Sequence, residues 1–187
     1  MVSEPAKPVE TRFALVVLGL VGAAVLAILG LSLHGYLDTN LWQYLAIGGS
    51  SLLFAPVLAA AFVAIRRGHI PAAVERIYSI TAVALLLTPL WLEQVETVFA
   101  AVFILFILAT APRLLSLART DRWVYRSVGV GILTSAAELL PLPTRLPPAL
   151  QYELPFELVV LGSAIGFTVL LLRDAARFSV RTKLVLA

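Results

Sequence analysis

The stretch LLLTPLWLEQVETVFA, Leu85 to Ala100, decides how many times this chain crosses a membrane. Read as one continuous helix, it would carry Pro89 and the carboxylates of Glu93 and Glu96 through hydrocarbon. A buried charge is costly there, and a proline leaves a carbonyl that lipid cannot satisfy. Read as a turn, the same residues end one apolar block and begin the next. The acidic cluster then reaches the membrane surface and the flanking blocks form a tight helical hairpin. This second reading avoids both costs and sets the number of spans at six rather than five.

The composition demands spans of this kind. Hydrophobic residues make up 60% of 187, charged residues 13%, and the mean hydropathy is +0.97. Soluble domains are about 45–50% apolar and about 25% charged. Six apolar blocks follow one another: Phe13–Leu33, Leu41–Ile65, Ile77–Leu92 (with a start as early as Pro71), Val95–Ala111, Val124–Leu140 and Phe156–Leu172. A helix needs about 20 residues to cross roughly 30 Å of hydrocarbon. The expected fold is therefore all-α, a polytopic integral membrane protein with six transmembrane helices. Residues 13–172 form the membrane domain, 1–12 a polar tail expected to be disordered, and 173–187 a basic tail. The first block is too long for a signal peptide and is read as a retained span.

The charges orient this bundle. With the N-terminus cytoplasmic and six crossings, the C-terminus is cytoplasmic too. Thirteen of the fourteen basic residues then lie on the inner side, with only Arg145 outside. Five acidic residues fall inside and six outside, and basic residues beside short loops set orientation. Trp42, Tyr44 and Trp91 fall at outer span ends, and Tyr78, Trp123 and Tyr125 at inner ends, where amphipathic rings suit the headgroup level.

Helices in lipid associate through close approach of small residues. The packing candidates are Gly19, Ala23 and Ala27 on span one, Gly48 on span two, Gly131 and Ser135 on span five, and the GxxxG pair Gly162 and Gly166 on span six. Phe99, Phe103 and Phe106 form a bulky stripe on span four, suited to lipid or to a partner subunit.

Catalytic patterns are not evident. Without cysteine there is no disulfide or thiolate site. His34 and His69 fall on opposite faces of the membrane, too far apart to share a haem, and neither is read as having a metal-ligand neighbour. Ser163 faces no intramembrane histidine base. HExxH and P-loop patterns are missing, as is any nucleic-acid-binding constellation. No catalytic, metal or cofactor residue is therefore assigned.

Two polar features remain. One is an intramembrane site combining Glu138, Thr134 and Ser135 on span five with the break Ser50, Ser51 and Pro56 in span two. An ionisable group in a span points to function, and interrupted helices occur in transporters. The other is the loop PLPTRLPPALQYELP, Pro141 to Pro155, read as a stiff outer lid with Arg145 in reach of Glu138, Glu153 and Glu157. Thr144–Pro148 is expected to be extended, with a helical turn over Ala149–Leu154.

These features predict a non-catalytic integral subunit of a membrane complex. Its expected partners are membrane lipids and other integral membrane subunits, or a second copy of itself, with no nucleic acid. The expected location is the cytoplasmic membrane. A small ion or solute transporter or channel using Glu138 and the span-two break is the alternative. A lipid-modifying membrane enzyme comes third, since it lacks a visible nucleophile–base pair.

Overall fold

The structure is a computed structural model that describes residues 8–93, 96–137, 139–146, 162–169 and 172. Its elements are α1 (Pro8–Thr39), α2 (Trp42–Leu52), α3 (Phe54–Arg66), α4 (Ile70–Leu87), a 3₁₀ turn (Thr88–Leu90), α5 (Glu96–Leu114) and α6 (Leu117–Ala137). Residues 162–169 are also helical. Among the described residues there is no strand, only an isolated bridge between Leu92 and Leu146. Among the described residues, four stretches are long and apolar enough to cross a membrane: Val9–Thr39, Trp42–Arg66, Ile70–Leu90 and Thr97–Leu114. The described residues thus form an all-helical structure in which several helices have the length and composition to cross a membrane.

The Leu85–Ala100 stretch breaks as its residues require. Pro89 cannot donate to the preceding turn, so α4 tightens into the 3₁₀ turn. The N–H groups of Trp91 and Leu92 both donate to the Thr88 carbonyl, each at 3.0 Å, and a separate helix starts at Glu96.

Two compact units divide the chain, Met1–Ala84 and Leu85–Ala187. In the first, α1 packs on α2 and α3. Helix α1 has 32 residues, about 48 Å at 1.5 Å per residue. It begins at Pro8, so the last five residues of the expected N-terminal tail are helical. A proline is well placed there, because the first turn's N–H groups have no intrahelical partners, and Glu10 complements the positive helix end. A two-residue connection, Asn40 with φ of 56° followed by the extended Leu41, joins α1 to α2. Close to it the helices nearly touch: a Cβ on Gly35 would lie 2.5 Å from the Tyr44 ring. One turn further on, a Cβ on Gly48 would lie 3.2 Å from Ser32 Cβ and 3.5 Å from Leu29 Cδ1. Gly48 is therefore a packing residue, as expected.

The α3–α4 connection is a helix stop built on Gly68, whose φ is +80°. The N–H of His69 reaches the Ala64 carbonyl at 2.9 Å and that of Gly68 reaches Ile65 at 3.0 Å. These two bonds satisfy carbonyls that the end of α3 would otherwise leave bare.

In the second unit α5 packs on α6. Helix α6 starts seven residues before the expected Val124, so Arg119, Asp121 and Arg122 are helical rather than loop residues. The cause is an amphipathic repeat. Thr120, Trp123, Val124, Ser127, Gly131 and Thr134 are buried at helical spacing, while Arg119, Arg122 and Arg126 stay exposed. The Thr120 hydroxyl donates to the Ala111 carbonyl at 3.2 Å, tying the end of α5 to the start of α6.

Several aromatic anchors are relocated. Tyr78 is 0% exposed, and Tyr44 and Trp123 are buried as well, whereas Trp42 is 52% exposed. The buried three pack against neighbouring helices.

Two substitutions test this frame. Gly68→Ala should destabilise the detergent-solubilised protein by about 1 kcal/mol, read as a lower Tm, because a Cβ is disfavoured at positive φ. Gly35→Ala should cost about 1–3 kcal/mol through overpacking. Adding Tyr44→Leu should restore most of the loss, so the pair is strongly non-additive in a double-mutant cycle.

Candidate functional site

The most constrained polar side chain in the described residues is Arg145. It is 8% exposed although it lies in a proline-rich loop. Helix α6 stops at Ala137, ahead of Pro141, and the N–H groups of Leu139 and Leu140 fold back onto Ala136 and Ala137. The chain then returns across the end of the 3₁₀ turn. Thr144 Oγ1 donates to the Leu90 carbonyl and the Leu146 N–H to the Trp91 carbonyl, each at 2.8 Å. Between them, Arg145 Nε donates to the Pro89 carbonyl and Nη2 to the Ala137 carbonyl, the latter at 2.7 Å.

Both acceptors sit at helix C-terminal ends, which carry partial negative charge and carbonyls without intrahelical donors. A guanidinium offers five N–H groups in a fixed plane and can serve both ends at once. The loop is thus a strap holding the 3₁₀ turn and α6 together. Sequence reading singled out Arg145 but expected carboxylate partners. Glu138, Glu153 and Glu157 lie outside the described residues, as does the helical turn expected over Ala149–Leu154. The missed signal was the backbone carbonyls of Pro89 and Ala137, which accept from the guanidinium.

The α5–α6 seam carries the next polar group. Gly131 faces α5, where a Cβ would lie 3.2 Å from Ile104 Cδ1 and 3.5 Å from Ala100 Cβ. One turn along, Thr97 Oγ1 donates to Ser135 Oγ across a long 3.4 Å. Thr134 is 0% exposed and its hydroxyl has no hydrogen-bond partner among the described residues. That differs from Thr81 and Thr110, whose hydroxyls donate to carbonyls four residues back at 2.8 and 2.6 Å.

The span-two break proves to be a kink. Helix α2 ends at Leu52 and α3 begins at Phe54. Leu52 lies four residues before Pro56, whose ring removes the N–H that its carbonyl would accept. Ser50 and Ser51 both donate to the Ile47 carbonyl, at 2.8 and 3.0 Å. Each hydroxyl's proton is therefore engaged by its own helix, which favours bending over ligand binding.

The expected packing stripes divide. Gly48 and Gly131 meet neighbouring helices, but a Cβ placed on Gly19, Gly162 or Gly166 would have nothing within 4 Å, and Gly19 and Ala23 are exposed. The Phe stripe is reversed. Phe103 and Phe106 are 4% and 6% exposed, Phe99 is half-buried, and the Phe106 ring lies 5.4 Å from that of Phe167. The chain itself covers the residues assigned to lipid or a partner, because large rings fill an interhelical gap that small residues leave.

His34 also departs from expectation. Because α1 continues to Thr39, Asp38 lies one turn away, with Nδ1 to Oδ2 at 3.3 Å. Groups of three or more metal-ligating side chains do not occur among the described residues. Comparisons with protein-family models, curated proteins and solved structures give no match.

Removing the guanidinium should unfasten the strap. Arg145→Gln is expected to lower stability by about 3 kcal/mol, read as Tm in detergent, since it strips two carbonyls of a charged donor. Arg145→Lys should recover less than half of that, because one ammonium cannot span both acceptors with the same geometry.

Proposed function

We propose that this chain is a non-catalytic integral subunit of a larger membrane assembly, in which it packs against partner membrane helices and lipid. The observation that carries the reading is the uncovered small-residue face of α1. Gly19 and Ala23 lie on a helix long and apolar enough to cross a membrane, yet they are exposed and open. Close approach along such faces is how helices associate in lipid. Gly162 and Gly166 present a second open pair. The occupied Ser50 and Ser51 hydroxyls and the structural use of Arg145 leave these polar groups little part in chemistry.

In this reading the chain lies in the cytoplasmic membrane with both termini inside and crosses six times, α6 and the Phe156–Leu172 block supplying the fifth and sixth crossings. The described charges support that orientation. Arg113, Arg119 and Arg122 gather at the α5–α6 turn, and Arg66 and Arg67 flank the α3–α4 turn.

The experiment is the size of the native particle in mild detergent. Wild type should run as a stoichiometric assembly with other integral subunits or a second copy. Gly19→Ile with Ala23→Ile should weaken it about tenfold or more. A monomeric wild type with flux in liposomes would overturn the reading.

One observation favours a second reading, a small cation or solute transporter. Thr134 presents a buried hydroxyl with no hydrogen-bond partner among the described residues, beside Ser135 and four residues before Glu138 in the sequence. Under this reading Glu138→Gln abolishes flux in liposomes while assembly is kept; unchanged flux rejects it.

A further inference from the structure

An open groove of about 510 Å³ runs between α3 and α4 in the first unit, lined by Val57, Ala72, Glu75, Arg76, Ser79, Ile80 and Val83. Its residues are sorted by depth. Arg76 lies six residues into α4 and Val83 thirteen, about 9 Å and about 20 Å along the helix axis. The end nearer the α3–α4 turn carries the charges of Glu75 and Arg76 and the Ser79 hydroxyl. The other end is made of Ile80, Val83 and, from α3, Val57. Ser79 donates to the Glu75 carbonyl at 2.8 Å. Arg76 is exposed and makes no ion pair among the described residues. Arg66 and Arg67 are exposed at the same turn, adding to the positive field there.

We infer that this groove holds one glycerophospholipid, with its phosphate on Arg76 and an acyl chain along Val57, Ile80 and Val83. The inference rests on the membrane-subunit reading above and adds a particular lipid site to it. Three features commit the groove to this occupant. The guanidinium matches a phosphate in charge and hydrogen-bonding geometry. It sits below the turn, at a depth where a phosphate drawn in from the headgroup layer would bring its chains with it. The apolar end continues about 10 Å further along α4, enough for the upper part of an acyl chain. Glu75, on the rim, disfavours headgroups that place a second negative charge beside the phosphate. Phosphatidylglycerol, whose charge is the phosphate alone, is therefore the probe of choice.

Native mass spectrometry of the detergent-purified full chain, delipidated and then given phosphatidylglycerol or diacylglycerol with the same chains, tests the site. Wild type should retain one phosphatidylglycerol and little diacylglycerol. Arg76→Gln should weaken retention about tenfold, and so should Ala72→Trp, which fills the groove without touching the charge. Arg122→Gln, on α6, should retain lipid as wild type does. Equal retention of diacylglycerol, or wild-type retention by both groove variants, would overturn the inference. If the chain proves soluble without detergent, the membrane reading falls instead; a membrane-extracted chain with no preference for phosphatidylglycerol rejects the groove alone.

Discussion

Hydrocarbon offers no hydrogen bonds, so a chain of this composition has to satisfy its own backbone, including the helix ends that α-helical geometry leaves bare. The turns between helices follow from that constraint. At Gly68 a left-handed residue lets two N–H groups fold back onto the end of α3. At the α5–α6 turn the Thr120 hydroxyl takes up the Ala111 carbonyl. At the 3₁₀ turn and the end of α6 the chain runs into proline, and the Arg145 guanidinium donates to a carbonyl at each.

The same constraint explains the placement of hydroxyls. Ser50, Ser51, Ser79, Thr81, Thr110 and Ser127 all donate to carbonyls three or four residues back on their own helices. A hydroxyl so engaged is a backbone accessory and bends or steadies its helix. Thr134 stands apart from them, with no such acceptor among the described residues.

Much of the helical order was legible in the sequence because lipid imposes a length scale. Pro89 and the carboxylates after it marked a turn without knowledge of any contact, and Gly48 and Gly131 were legible as close-approach residues. What was not legible depended on pairing. Nothing in the spacing of Phe103 and Phe106 distinguishes a lipid-facing ring from one packed on Phe167. The start of α6 was missed because arginines suggest loops until the buried Thr120, Trp123, Ser127 series is seen as a helical repeat. Arg145 stood out as a lone cation, but its bonds to the Pro89 and Ala137 carbonyls were not legible, because carbonyl acceptors leave no mark on residue type.

The Arg145 strap also has a place in time. Its bond to Pro89 joins residues 56 positions apart, and its bond to Ala137 requires that α6 already be formed. Both helices of the α5–α6 hairpin lie between those anchor points in the chain. Where local contacts assemble α5 and α6 first, the strap is the last contact to close. An interaction formed that late contributes little to the rate of folding and instead slows the opening of the folded chain. Arg145 thus governs the lifetime of the folded hairpin more than the speed at which it is reached.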